Sequence, residues 1–129
     1  MLWSYLWIAV GSALGGVARY ACSGLVANSV GEMFPWGTLV VNIVGSFAIG
    51  FFNSLSGPDG RLVASTAARQ FVMVGICGGY TTFSSFSLQT LNLVRDGDAV
   101  RALANINASF ALCLFAVWVG HAAATMLSR

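Results

Sequence analysis

One stretch organises this chain: Gly75-Ile76-Cys77-Gly78-Gly79-Tyr80-Thr81-Thr82-Phe83-Ser84-Ser85-Phe86-Ser87, which lies in the middle of a long apolar segment. The interior of a membrane offers no water, so every backbone polar group there has to find its partner within the protein. Three glycines and five hydroxyl residues at this depth therefore predict a helix that breaks beside a cavity and then restarts. The ends of half-helices beside a cavity are binding sites for ions.

The composition is that of an integral membrane protein. Of the 129 residues, 57% are hydrophobic and only 8% are charged, and the mean hydropathy is +0.80. The net charge of +2 is too small and too scattered for a nucleic-acid surface. Cys22, Cys77 and Cys113 all lie in apolar segments and are interpreted as small buried hydrophobic residues. The N-terminus has no basic region before its apolar run, so the first segment is expected to stay in the mature protein.

Four segments are long enough to span about 30 Å of hydrocarbon at about 1.5 Å per residue. They comprise residues 2–25, 37–55, 67–93 and 102–127. The short connections hold all four carboxylates and both prolines, as turns commonly do. We therefore predict an all-α membrane protein with a single transmembrane domain over residues 1–129. It has four transmembrane helices, a broken third helix and both termini on the same side.

The arginines are distributed evenly between the two sides of this topology. The side with the termini has Arg61, Arg69 and Arg129, and the other side has Arg95, Arg101 and, from the end of the first helix, Arg19. Orientation in the membrane follows an excess of basic residues on the cytoplasmic side. A chain without such an excess is able to insert either way, which permits an antiparallel homodimer.

The first helix combines small residues with one charge. Gly11 and Gly15, and likewise Ser12 and Gly16, are spaced for close packing against another helix. Arg19 has two interpretations. Its side chain either extends to the membrane interface, or it caps backbone carbonyls or raises the local potential for an anion near a pore mouth.

The second helix carries a polar stripe, because Thr38, Asn42, Ser46, Gly50 and Ser54 recur every four residues. Such a stripe serves either hydrogen bonding between helices or the lining of a pathway. Asn42 favours the second use. Its amide is costly to bury unless its donors and acceptor are all satisfied, and its NH2 group is able to donate to an anion.

The break in the third helix is expected between Ile76, where the first half ends, and the restart near Thr82. Carbonyls freed at Gly78, Gly79 and Thr81 are suitable ligands for a cation such as Na⁺. The N–H groups exposed at the restart favour negative charge.

Aromatic and polar side chains follow the break. Phe83 and Phe86 share one face of the second half, where they either pack or turn their positive ring edges to a small anion. The fourth helix has a second stripe of polar or small side chains: Arg101, Asn105, Ser109 and Cys113.

Two motifs identify a resemblance to a known family. They are Phe34-Pro35-Trp36-Gly37-Thr38-Leu39-Val40-Val41-Asn42-Ile43-Val44-Gly45-Ser46 and Gly78-Gly79-Tyr80-Thr81-Thr82-Phe83-Ser84-Ser85-Phe86-Ser87. Together they strongly resemble the small prokaryotic fluoride channels of the Fluc family. The likeness extends over all four helices, including residues 11–19 of the first.

The resemblance implies a dual-topology, antiparallel homodimer in the cytoplasmic (inner) membrane of a prokaryote. The implied dimer has two fluoride pores and one structural Na⁺ on its two-fold axis. The implied roles are a fluoride donor at Asn42, ring edges at Phe83 and Phe86, Na⁺-binding carbonyls at Gly78 and Thr81, pore hydroxyls at Thr82, Ser85 and Ser109, and a family arginine at Arg19. Three positions depart from common family residues: Gln89 stands where many members have Glu, and Asn105 and Cys113 stand where relatives often have Tyr and Ser.

The leading hypothesis is a passive fluoride channel that lowers the fluoride concentration in the cytoplasm. A small proton-coupled multidrug exporter is the alternative, but it needs a carboxylate within the membrane, and all four carboxylates lie in connections. A membrane assembly subunit without transport activity also stays open. An enzyme is not expected, since the chain has one His and no Ser or Cys with a plausible base partner.

Overall fold

The computed structural model describes all residues 1–129 and consists of helices without any strand. The elements are α1 (Leu2–Val30), α2 (Trp36–Leu55), α3 (Thr66–Arg69), the π-helix π1 (Gln70–Cys77), α4 (Gly78–Tyr80), α5 (Phe83–Arg95) and α6 (Ala99–Leu127). The elements α3, π1 and α4 follow one another without a gap and are called the third segment. The all-α prediction is confirmed.

Three helical stretches are long and apolar enough to cross a membrane: Trp36–Leu55, Thr66–Arg95 and Ala99–Leu127. They correspond to the second, third and fourth predicted spans. The helix α1 is 29 residues long, but glycines, interfacial aromatics and Arg19 lower its hydropathy, and it is not among the three.

Most apolar side chains point outward. Only 18 of the 129 residues are buried, whereas side chains such as Val17 and Leu114 are 72% and 71% exposed. A surface of this kind belongs in lipid or against another protein surface, because soluble monomers rarely expose large apolar patches. The chain is a multi-pass membrane protein.

Glycines bring α1 into backbone contact with the third segment. A Cβ added at Gly11 would lie 2.6 Å from the carbonyl oxygen of Phe71, and one added at Gly79 would lie 2.6 Å from that of Ser12. The prediction that the helix ends near Ile76 was therefore wrong. Helical structure continues to Tyr80, and Gly75 and Gly79 of this stretch lie against the backbone of α1 without breaking the helix.

The interruption of the helix lies at Thr81 and Thr82. Both residues have extended backbones, with φ −81° and ψ 158° at Thr81 and φ −151° and ψ 115° at Thr82. The helix α5 begins at the next residue, and the Thr82 hydroxyl accepts a hydrogen bond from the Ser85 amide at 3.2 Å. Thr82 is thus the N-cap that restarts the helix.

The remaining packing places α2 and α5 around the interruption. The helix α2 packs mainly against α6, and α5 also contacts α6. Arg69 donates to the side-chain oxygen of Asn53 at 2.8 Å and also to the Ser56 hydroxyl. It therefore satisfies acceptors at the C-terminal end of α2.

Candidate functional site

Two cavities lie beside the interruption. The larger cavity, of about 1220 Å³, opens between the connections that follow α1 and α5 and is called the vestibule. The smaller cavity, of about 300 Å³, is called the inner cavity. The inner cavity is lined by Asn42, Gly45, Ser46, Ile49, Cys77, Gly78, Thr81, Thr82, Phe83, Phe86, Ser109, Phe110 and Cys113. Thr82 lines both cavities, so the two cavities lie next to each other.

The predicted site residues divide between these cavities. The predicted site residues that line the inner cavity are Asn42, Gly78, Thr81, Thr82, Phe83, Phe86 and Ser109. Ser85 and Arg19 line the vestibule instead. The structure therefore brings most of the predicted residues together, and it separates Ser85 from the inner cavity because this side chain lies on another face of α5.

Asn42 clamps the interruption through two hydrogen bonds. Its Nδ2 donates to the Thr82 carbonyl at 3.0 Å, and its Oδ1 accepts from the Thr82 amide at 2.8 Å. An amide group has two N–H donors, so this pairing leaves one N–H of Asn42 free of contacts within the chain. That free donor belongs to a side chain that lines the inner cavity.

Two backbone carbonyls near the interruption are available as ligands. The Thr81 carbonyl accepts no hydrogen bond, and the Thr82 amide that would reach the Gly78 carbonyl in a continuous helix goes to Asn42. The Gly79 carbonyl, by contrast, accepts from Arg19 Nε at 3.3 Å. No cluster of three His, Cys, Asp or Glu side chains offers an alternative metal site. Carbonyl oxygens are hard ligands, which suit hard cations.

Aromatic rings form one wall of the inner cavity. The ring centroids of Phe83 and Phe86 are 5.4 Å apart at an interplanar angle of 53°. Phe86 also meets Phe110 edge-on, with 6.0 Å between centroids. Phe86 is 7% exposed and Phe83 is 68% exposed, so the two rings differ in how far the chain itself encloses them. Sequence reasoning missed Phe110, although it directly follows Ser109.

A buried series of hydrogen bonds joins the backbone of Phe86 in this wall to α6. Asn105, which is 2% exposed, donates to the Thr90 hydroxyl at 2.9 Å, and this hydroxyl donates to the Phe86 carbonyl at 2.7 Å. Ser109 donates to the Asn105 side chain at the long distance of 3.5 Å. The polar stripe of the fourth helix thus holds α6 to α5, and Thr90, which the sequence reasoning missed, is its counterpart.

The vestibule contains charges of both signs. Its lining includes Arg19, Arg101, Glu32, Asp96 and Asp98. Arg101 pairs with Asp98 at 2.9 Å, and Arg19 caps the Gly79 carbonyl, which is the second of its two predicted roles. The vestibule therefore does not concentrate anions by a large excess of positive charge, and any selection for anions falls to the uncharged donors of the inner cavity.

Comparison with known proteins gives a consistent result. The family model described as "CrcB-like protein, Camphor Resistance (CrcB)" matches residues 6–121. A protein of Opitutus terrae named "Fluoride-specific ion channel FluC" is 63% identical over 96% of this chain and 94% of its own length. Proteins of the same name from Methylocella silvestris and Rhodospirillum rubrum are 58% and 54% identical, over 97% and 98% of this chain and 95% and 98% of their own lengths.

Proposed function

The chain belongs to the CrcB-like protein family, and we propose that it is a fluoride-selective ion channel that exports F⁻ passively across the cytoplasmic membrane. One observation carries the mechanism: the inner cavity combines a free amide donor on Asn42 with hydroxyls and aromatic rings, and no charged side chain lines it. Uncharged donors are able to replace the hydration shell of a small anion without holding it too tightly to leave.

Fluoride enters the inner cavity from the vestibule past Thr82, which lines both. The free N–H of Asn42 and the hydroxyl of Thr82 donate to the ion, while Phe83 and Phe86 face it with their positive ring edges. The Ser109 hydroxyl joins these donors when it exchanges its long 3.5 Å bond to Asn105 for the ion. Ser85 and Arg19 act earlier, in the vestibule. An inside-negative potential of 100 mV drives each charge outward with about 2.3 kcal/mol.

The assembly is an antiparallel homodimer in which α1 forms a fourth membrane crossing. Two observations support a second copy. Phe83 lines the inner cavity yet is 68% exposed, which leaves the cavity incomplete within one chain. The balanced arginines also impose no single orientation on the chain. A protease-sensitive N-terminal tag tests this: half of it is expected to be protected in sealed inside-out vesicles, and full cleavage or full protection would contradict dual topology.

A structural Na⁺ is held at the dimer interface by the Gly78 and Thr81 carbonyls. The Thr81 carbonyl accepts no hydrogen bond within the chain, and the Gly78 carbonyl does not receive the Thr82 amide. When bound, the cation offsets the negative ends of these carbonyl dipoles within the membrane.

The test of the pore is Asn42→Ala, with Asn53→Ala as the matched control on the same helix. Asn53 also accepts a hydrogen bond through its side chain, but it lies outside the inner cavity. We expect Asn42→Ala to lower F⁻ efflux from liposomes by about tenfold or more, the effect of losing a charge-assisted donor. Asn53→Ala should conduct normally. Equal efflux from the two variants would refute the role of Asn42.

The alternative of a proton-coupled exporter lacks its central group. Glu32, Asp59, Asp96 and Asp98 all lie in the connections outside the helices, so no carboxylate is available within a membrane span.

A further inference from the structure

We infer that Asn42 forms the proposed Na⁺ site in addition to donating to F⁻. One hydrogen bond, from the Thr82 amide to the Asn42 side chain, both releases the Gly78 carbonyl and orients the Thr81 carbonyl. This inference rests on the proposed Na⁺ site and deepens it. It makes Asn42 a positioning residue for the cation, through Thr82.

The first step is a competition for one donor. In an uninterrupted α-helix the amide of residue 82 would donate to the carbonyl of residue 78. The chain is helical at Gly78 and the following residues, so this bond is the default for the Thr82 amide. Instead the amide donates to Asn42 Oδ1 at 2.8 Å. By taking this donor, Asn42 leaves the Gly78 carbonyl without its helical partner.

The second step follows from the geometry of the peptide bond. The chain has no cis peptide, so the carbonyl of Thr81 and the amide of Thr82 point in opposite directions across one planar unit. With the amide held toward Asn42, the Thr81 carbonyl points away from it. The same hydrogen bond therefore fixes the direction of the second proposed ligand.

The third step is that no other contact at the interruption fixes the orientation of the peptide unit between Thr81 and Thr82. The Thr81 amide and hydroxyl both donate to the Cys77 carbonyl, each at 3.0 Å, which anchors the residue before the peptide. The Thr82 carbonyl accepts from Asn42 Nδ2 at 3.0 Å, but it belongs to the next peptide unit, between Thr82 and Phe83. Apart from Asn42, no group of the chain bonds the Thr82 amide or the Thr81 carbonyl.

The consequence is that the proposed F⁻ pathway and the proposed Na⁺ site both depend on Asn42. Without the Asn42 side chain, the Thr82 amide is free to return to the Gly78 carbonyl and lengthen the helix by one residue. Both cation ligands would then be lost together. A substitution in the proposed anion pathway should thus weaken Na⁺ binding, although Asn42 does not touch the cation.

The experiment measures stability, so that it does not depend on conduction. The thermal unfolding midpoint of the purified dimer in detergent is followed while Na⁺ replaces N-methylglucamine at constant ionic strength. A cation that binds only the folded state raises this midpoint, and the dependence gives a half-saturating Na⁺ concentration. The wild type, Asn42→Ala, Asn42→Thr and Asn105→Ala are compared. Asn105→Ala removes a different buried amide, one that contacts Thr90 and not the interruption.

We expect the half-saturating Na⁺ concentration to rise about tenfold or more in Asn42→Ala and in Asn42→Thr, whose hydroxyl is too short to reach Thr82. Either variant suffices if the other does not fold. Asn105→Ala should unfold at a lower temperature than the wild type at every Na⁺ concentration. Its half-saturating Na⁺ concentration should equal that of the wild type.

The inference is overturned if Asn42→Ala or Asn42→Thr binds Na⁺ as the wild type does, or if Na⁺ does not stabilise the wild type. Failure of the channel proposal would appear separately, as absent F⁻ efflux from a wild type that still binds Na⁺.

Discussion

Replacing Gly79 by alanine tests the packing that positions the interruption. The added Cβ would lie 2.6 Å from the carbonyl oxygen of Ser12, 2.9 Å from its Cα and 3.2 Å from its carbonyl carbon. All three are backbone atoms, so no side chain is able to move aside. Relief to an ordinary contact of 3.4 Å requires α1 and the third segment to separate by about 0.8 Å along this direction.

The expected net effect is a loss of about 2 kcal/mol in the free energy of unfolding. Overpacking costs about 1 to 3 kcal/mol, and a rigid contact belongs at the upper end of that range. Alanine recovers about 1 kcal/mol through its higher helix propensity. Gly16→Ala is the matched control, because nothing lies within 4 Å of the Cβ that it adds, and it should gain stability.

The assay is unfolding in mixed detergent micelles followed by tryptophan fluorescence, for both variants at the same Na⁺ concentration. Gly79→Ala should also reduce F⁻ efflux, since the shift moves the Gly79 carbonyl away from Arg19. If Gly79→Ala is as stable as Gly16→Ala, α1 does not approach the third segment as described, and the account of how Thr81 and Thr82 are positioned fails.

Three further predictions concern the wall of the inner cavity and the nature of transport. Phe83→Ile and Phe86→Ile keep an apolar side chain but lose the ring edge, so F⁻ efflux should fall about tenfold or more in liposomes; unchanged efflux would exclude the ring-edge role. Thr90→Val leaves the buried Asn105 amide without its acceptor and should lower the free energy of unfolding by about 1 to 3 kcal/mol, whereas Thr125→Val, at an exposed threonine, should change it little. Efflux at fixed F⁻ concentration should vary less than about twofold between pH 6.5 and 8, because no carboxylate lies in a membrane span and His121, which lies in α6, lines neither cavity; a steep pH dependence would favour proton-coupled transport.

The sequence predicted that the third helix is interrupted, but it misplaced the end of the first half. A glycine within an apolar helix has two uses, to permit an unusual backbone and to let another helix approach. The two uses leave the same trace in the sequence, because both need only the absence of a Cβ. Gly79 turned out to contact Ser12 on α1, and only the position of that neighbour distinguishes the two uses.

The same limit applies to the site. Asn42 and Thr82 were each identified from their own helices, yet their mutual pairing joins residues 40 positions apart and follows from the packing of α2 beside the interruption. The burial of Asn105 could be predicted from its stripe, but its partner Thr90 could not, since hydroxyl residues in membrane helices also bond their own backbone. The resemblance assigned Ser85 to the pore hydroxyls together with Thr82 and Ser109, but only the structure shows that Ser85 lines the vestibule and Ser109 the inner cavity.

The most direct test of the central claim is ion efflux from liposomes that contain the purified protein, with F⁻ and Cl⁻ measured in parallel by ion-selective electrodes. A K⁺ gradient with valinomycin sets the potential. The account predicts rapid, potential-driven F⁻ release with negligible Cl⁻ release. Comparable release of both anions, or no F⁻ release from vesicles shown to contain folded dimer, would contradict a selective pathway through the inner cavity.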